Sequence, residues 1–308
     1  MVSVILIWIY MTVTCYITGY LCLTGICRKG NYQIRKESSY LFSGIVLMTV
    51  YAEIFSLFGG VSFLANALLL AICLICFWFK KEELAGHFRN IRLTVTPQRV
   101  ILILVLFFLF AYGTASGLEH YDTGLYHAQS IRWIEEYGIV PGLGNLHSRL
   151  AYNSAAFSLS ALYSMVFLTG RSFHCCTGYF AFLLAVCCTD ACCREREKKL
   201  LLSDLIRVMA VYYLLNIFDE MISPASDYFM VLTVFWLVIR WLELLERKEK
   251  STVPYSLLCI LGVYVCTIKF SGALIVLLTI WPVVKLIQGK RVQEIIRDID
   301  WGVLLGVA

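Results

Sequence analysis

The sequence predicts an all-α polytopic membrane protein, and three observations carry that prediction. Of its 308 residues, 60% are hydrophobic and 15% charged, whereas soluble domains carry roughly 25% charged residues. Apolar runs near the length of about 20 residues that crosses a bilayer core recur along the chain. Lysine and arginine collect in short loops between those runs, as the positive-inside rule expects of cytoplasmic loops.

The runs lie at 2–27, 39–58, 61–79, 100–118, 174–193, 201–218, 227–245, 254–270 and 271–287. A tenth begins at Trp301 and reaches Ala308, so the chain is expected to be the N-terminal part of a longer protein. The first run has no basic residues ahead of it and no small-residue cleavage site before Arg28 and Lys29, and reads as a retained helix. The 13 cysteines lie almost wholly inside apolar runs, including the CxxC of Cys73 and Cys76. That setting lacks the polar, exposed surroundings of a zinc or redox site, so cysteine is read as a small hydrophobe and no metal or cofactor is assigned. The net charge of +5 comes from the loops; no nucleic-acid partner is expected.

Arg28, Lys29, Arg35 and Lys36, then Lys80, Lys81, Arg89, Arg92 and Arg99, place two loops on the cytoplasmic side. Continuing through 100–118 puts residues 121–154 on the external face. If 151–169 and 174–193 both crossed, Arg194, Arg196, Lys198 and Lys199 would lie outside. The segment 151–169 is interrupted by Asn153, Ser154, Ser158, Ser160 and Ser164, and is therefore read as an amphipathic helix in the interface. The basic loops at 247–250 and 289–291 then also fall inside. Glu119, Asp122, Glu135, Glu136, Asp219, Glu220 and Asp227 gather outside. The chain divides into a three-helix segment, 1–99, and a transmembrane core, 100–308, expected to be incomplete at its C-terminus.

The polar stretch "YDTGLYHAQSIRWIEEYGIVPGLGNLHSRLAYNS", 121–154, interrupts this apolar pattern. A helix is predicted from Thr123 to Tyr137, with Asp122 ahead of it, Gly138 as its stop and Pro141 beyond. Tyr126, Ser130, Trp133, Ile134 and Tyr137 form an aromatic face suited to a membrane surface. Taken alone, Asp122 reads equally well as an N-cap worth about 1 kcal/mol. Its company points to chemistry: Glu119, His120, His127, His147 and Arg149 lie close in sequence, and "FDEMISPASD" supplies further acids on the same inferred face. A carboxylate in a wet cleft can serve as general base toward a hydroxyl, and Arg149 or His147 could hold a phosphate.

The order of transmembrane helix, Asp122, Tyr126 four positions later, flat helix, His147-bearing turn and second amphipathic helix resembles the first external loop of the GT-C glycosyltransferase superfamily. More narrowly, the polar stretch, "ISPASDY" and "TIKFSGA" resemble segments of an uncharacterised bacterial multi-pass membrane protein family. The resemblance covers about residues 100–290. It implies a GT-C-like helical bundle with interfacial helices in the first large external loop, in a bacterial plasma membrane. It also implies transfer of a sugar from a polyprenyl-phosphate-type donor to a cell-surface glycan or glycolipid. Asp122 matches the position of the catalytic acid, assisted by Glu119. In "HSRL", His147 stands where related enzymes have a basic residue before a proline pair, whereas this chain has Ser148 and Arg149 there.

His127, His147, Arg149, Asn153, Asp219, Glu220, Asp227 and Lys269 complete the expected substrate site, with Arg149, His147 and Lys269 on the carrier phosphate. The expected partners are the bilayer, a lipid-linked donor and a glycan or lipid acceptor. Lys269 reads equally as a snorkelling lysine. Glu53 is an intramembrane acid without an identified partner, and His87 and His174 read as solvated loop residues. No GxGxxG or Walker loop is present. The competing functions are a transporter or flippase of lipid-linked saccharide, which would place its site near the midplane on broken helices, and a non-catalytic component of a membrane assembly.

Overall fold

The computed structural model describes residues 1–29, 32–191, 200–249, 251, 253–280 and 284. The described residues contain no strand. The chain runs α1 (Val2–Lys29), α2 (Glu37–Ser56), α3 (Phe63–Thr94) and α4 (Pro97–Ser116), then a π-helical turn (Thr123–His127) that continues into α5 (Ala128–Tyr137). Next come α6 (Ala155–Leu162), α7 (Val166–Thr169), α8 (Cys176–Thr189), α9 (Leu202–Asn216), α10 (Ser226–Glu246), α11 (Val253–Ile268) and a 3₁₀ stretch, Phe270–Thr279.

Nine crossing runs were expected, and five described helices are long and apolar enough to cross a membrane: Val2–Cys27, Glu37–Ser56, Phe63–Ile91, Pro97–Ser116 and Ser226–Glu246. The apolar helices α8 and α11 have 14 and 16 residues. At about 1.5 Å per residue they are shorter than a hydrocarbon core of about 30 Å. The basic stretch 194–199, the loop at 289–291, the later part of the 271–287 run and the run from Trp301 lie outside the described residues. Helix α3 outlasts its apolar run because residues 80–89 are mostly good helix formers, reinforced by the Lys80–Glu83 pair at 2.7 Å.

Ion pairs show which helix ends lie together. Asp190, at the end of α8, binds Lys36 ahead of α2 and Arg99 at the start of α4, each at 2.5 Å. Arg35 reaches Glu249, after α10, at 3.5 Å. Arg207 of α9, only 3% exposed, is buried against Glu243 of α10. These ends form one pole of the bundle. At the opposite pole Trp8 donates to the Cys175 carbonyl at 2.9 Å, and Thr177 donates to that of Ser223 at 2.6 Å.

Both ends of the 151–175 segment lie at this second pole, but α6 is not the expected amphipathic interfacial helix. All eight of its residues are buried. It packs on α2 and α5 and reaches α10 and α11. Its serines serve the interior: Ser160 donates to the Ala156 carbonyl and Ser154 to that of Ile268, each at 2.7 Å. Its far end reaches near the middle of α1, where the Tyr163 and Thr14 hydroxyls are 2.8 Å apart.

The main apolar cluster includes Trp8, Ile45, Phe157, Phe180, Phe229 and Ile268, drawn from both predicted segments, and a smaller one gathers Tyr16, Tyr20, Leu23, Tyr40 and Leu84. The 11 described cysteines are free and buried or half-buried. His87 is not the solvated residue expected: its Nε2 lies 3.1 Å from Glu37 and 2.9 Å from the Tyr16 hydroxyl, and its ring packs against Tyr20. His174 is also partly buried, with its Nδ1 shielded and unpartnered among the described residues.

Helices α1 and α2 cross backbone to backbone. A Cβ on Gly44 would lie 1.8 Å from the Cys15 carbonyl oxygen, and one on Gly19 would lie 1.9 Å from that of Tyr40. Neither neighbour is a flexible side chain. Gly44→Ala should therefore separate the helices and cost about 3 kcal/mol, read as a lower unfolding midpoint in detergent. Gly25→Ala, with nothing within 4 Å of the new Cβ, should leave the midpoint equal or slightly higher. Equal midpoints for the two variants would refute the tight crossing.

Candidate functional site

Two loops about one hundred residues apart are joined first. After α4, the Leu118 N–H donates to the Asp219 carbonyl at 2.6 Å, and the His120 N–H donates to the Ser223 hydroxyl at 2.6 Å. Because the Ser223 carbonyl accepts from Thr177, the loops following α4 and α9 are fastened to the start of α8.

The predicted helix begins here, but Asp122 is not its N-cap. Its backbone is already helical and its side chain makes no capping bond. His120 meets the local backbone demand instead: its carbonyl accepts from the Thr123 N–H at 2.8 Å, and its Nδ1 accepts from the Asp122 N–H at 3.2 Å. The Asp122 carboxylate is thereby left for tertiary contacts. Arg149 donates to its Oδ1 at 2.8 Å, and His120 Nδ1 lies 4.0 Å from its Oδ2.

The helix passes through the π turn at Thr123–His127, a distortion often found at functional sites. His127 is only 2% exposed, packed against Tyr126 at 4.1 Å and Phe157 of α6 at 5.4 Å between ring centres. Its Nδ1 and the Thr123 hydroxyl are buried without a partner among the described residues. Burial pushes His127 down from 6.5 to about 4, so the ring is neutral at physiological pH. Gly138 ends the helix as predicted, at φ 77°, and the following Ile139 N–H donates to the Ser56 carbonyl at 2.8 Å. The buried side of α5 carries Ser130, Ile131, Ile134 and Glu135, while Tyr137 is exposed.

Arg149 sits on a 3₁₀ turn, Ser148–Ala151, whose cap is His147: the His147 Nδ1 accepts from the Arg149 N–H at 3.3 Å. The guanidinium lies 5.5 Å from the centre of the Tyr126 ring. Tyr126 meets Tyr152 edge-on at 6.4 Å, and the Tyr152 hydroxyl is 3.0 Å from that of Ser226. Beside Ser226, Asp227 accepts from Lys269 at 2.5 Å. The starts of α6 and α10 and the end of α11 therefore converge. His127 lies in the combined field of Asp122, His120, Asp227 and Lys269, while Tyr126 lies in that of Asp122, Lys269 and Arg149.

Among the sequence-predicted residues, Asp122, His127, Arg149, Asp227 and Lys269 come together, with His127 as a buried support. Glu119 and Asn153 are exposed and form no hydrogen bond or ion pair among the described residues. Asp219 contributes its backbone carbonyl, Glu220 accepts from the Tyr228 hydroxyl, and His147 acts as a cap. Sequence reasoning missed Ser223, Ser226 and Tyr152, and read Tyr126 as part of a membrane face. Single hydroxyls give no spacing signal for contacts that link residues so far apart in the chain. No group of three or more metal-ligating side chains occurs among the described residues.

Fold and site together define an all-helical, multi-pass membrane protein with a cluster of alternating charges at one pole. A family described as Domain of unknown function (DUF8201) matches residues 1–307, and the chain belongs to it. No curated protein and no solved structure matches the chain.

The buried histidines give a pH prediction. In the fold, His127 and His174 take up protons only near pH 4, whereas the unfolded chain takes them up near 6.5. Between those values the unfolded state holds more protons, so stability should fall as pH drops through this window. The unfolding midpoint of His127→Gln should fall less steeply between pH 7 and 4.5 than that of the parent protein; parallel slopes would show that His127 does not contribute.

Proposed function

We propose that this protein is a GT-C-type membrane glycosyltransferase that transfers a sugar from a polyprenyl-phosphate-class carrier to a cell-surface glycan or glycolipid. The observation that carries the proposal is the Asp122 carboxylate, relieved of capping and held by Arg149 beside the Asp227–Lys269 pair. A catalytic base must be available to substrate, and an N-cap already committed to backbone N–H groups is not.

The chemistry follows from the charges. Asp122 accepts the proton of an acceptor hydroxyl as the acceptor oxygen bonds to the sugar's anomeric carbon. The bond from that carbon to the carrier's phosphate oxygen breaks, and the phosphate leaves with the electron pair. Tyr126 lies in the fields of both Arg149 and Lys269, and each of these cations can exchange its carboxylate for phosphate oxygens. The N-termini of α6 and α10 favour negative charge at the same place. Neutral His127 supports this arrangement from below without adding a cation that would compete for the phosphate. The gathering of basic loops at the opposite pole supports an external active face.

One observation favours the transporter reading. Helix α6 is a half-helix that starts at the charged cluster and ends beside Thr14, near the middle of α1, and transporters build midplane sites with broken helices. Transfer and transport differ in what Asp122 must do.

The Asp122–Arg149 pair is half-exposed, at 29% and 48%, so breaking it should cost at most about 1 kcal/mol of stability. Asp122→Asn should therefore insert normally but lower transfer at least about 100-fold, as expected for loss of a general base. Lipid-linked saccharide and surface-glycan profiling at matched membrane levels reads this out as a missing sugar and accumulation of unmodified acceptor. Unchanged pools would remove Asp122 from catalysis.

A further inference from the structure

A large cavity lies away from the charged cluster. Helices α3 and α4 are joined by only Val95 and Thr96, yet they diverge and scarcely touch. Between them opens a cleft of about 1530 Å³, floored by α1 and α8. Small-molecule pockets occupy roughly 300–1,000 Å³, and this one is elongated: its lining on α3 extends from Leu70 to Ile91, on the order of 30 Å along a helix axis. Leu74, Phe77, Val100 and Ile101 line it and are themselves exposed, so the cleft opens sideways where lipid chains lie.

Its composition changes along its length. The inner part is apolar, with the hydroxyls of Tyr10, Thr12, Thr14 and Tyr179 engaged by other protein groups. At the pole opposite Asp122, the charged residues lining the mouth are Arg35, Lys36, Arg99, Glu37 and Asp190. Glu37 is already held by Tyr16 and His87, Arg35 faces Glu249, and Asp190 is shared by two cations. Lys36 and Arg99 together exceed the charge of the single carboxylate between them.

We propose that this cleft is a binding site for one anionic glycerophospholipid of the bilayer, with an acyl chain between α3 and α4 and the phosphate at Lys36 and Arg99. Basic pockets between membrane helices bind anionic head groups in this way. A zwitterionic phospholipid has the same chains but no net charge to match the local excess of Lys36 and Arg99 over Asp190. The site is independent of the proposed transfer reaction, since it lies at the other pole and uses none of that cluster's residues.

The experiment is native mass spectrometry of the purified full chain, released from nanodiscs containing equal amounts of phosphatidylglycerol and phosphatidylcholine with identical chains. One phosphatidylglycerol should remain bound in preference to phosphatidylcholine, and the Lys36→Gln, Arg99→Gln double variant should reduce that retention at least about 10-fold. Because this variant could lose its fold with the Asp190 contacts, Val13→Trp provides a second arm: it fills the cleft floor with every charge intact and should also expel the lipid. Equal retention of both lipids would overturn the proposal, as would undiminished phosphatidylglycerol binding in Val13→Trp. Displacement of phosphatidylglycerol by an equal concentration of polyprenyl phosphate would assign the cleft to a carrier lipid and overturn it as well.

Discussion

A segment that enters a hydrocarbon layer and returns to the same side must satisfy its backbone within the protein, because lipid offers no partner. Residues 151–175 meet that requirement by burying α6. Asn66 donates to the Leu162 carbonyl at 3.0 Å, Ser154 caps the first turn, and the Phe173 N–H donates to the Ser164 carbonyl at 2.9 Å on the way out. These bonds determine more than α6. The Ser154 hydroxyl also reaches the end of α11, and Tyr152, two residues earlier, reaches the start of α10. The convergence of Asp227, Lys269 and Arg149 follows from how this short segment is accommodated.

The charges fall into two physical classes. Arg207 and Glu243 are almost wholly buried and bonded to each other, with Arg240 sharing the carboxylate. Removing one partner there would leave an uncompensated charge in the interior, so that network holds α9 and α10 together. Asp122–Arg149 and Asp227–Lys269 are partly exposed. Such pairs contribute little to folding and can be exchanged for a ligand's charges at small cost. A site that must bind and release an anion is better built from the second class.

The helices were legible where composition alone decides them. The apolar runs of α1, α2, α4 and α10 and the stop at Gly138 correspond closely to the observed elements. The nature of α6 was not, because its serines resemble a polar face when only the sequence is considered. They donate to carbonyls inside the protein, a choice that depends on which helices surround them. The same limit applied to Asp122: the pattern of an acid before a helix permits a cap, and only the position of His120 shows that the cap lies elsewhere.

What the sequence by itself determined is the class of protein, its apolar helices, its basic loops and the collection of acids and cations in a few polar segments. Those properties depend on local composition and on the energy of placing charge in hydrocarbon. Tertiary structure alone decided which of those charges meet, that His127 is buried and neutral, and that α3 and α4 part to leave a cleft. The physical reason is that each of these features depends on contacts between residues tens to more than one hundred positions apart, which no local periodicity encodes.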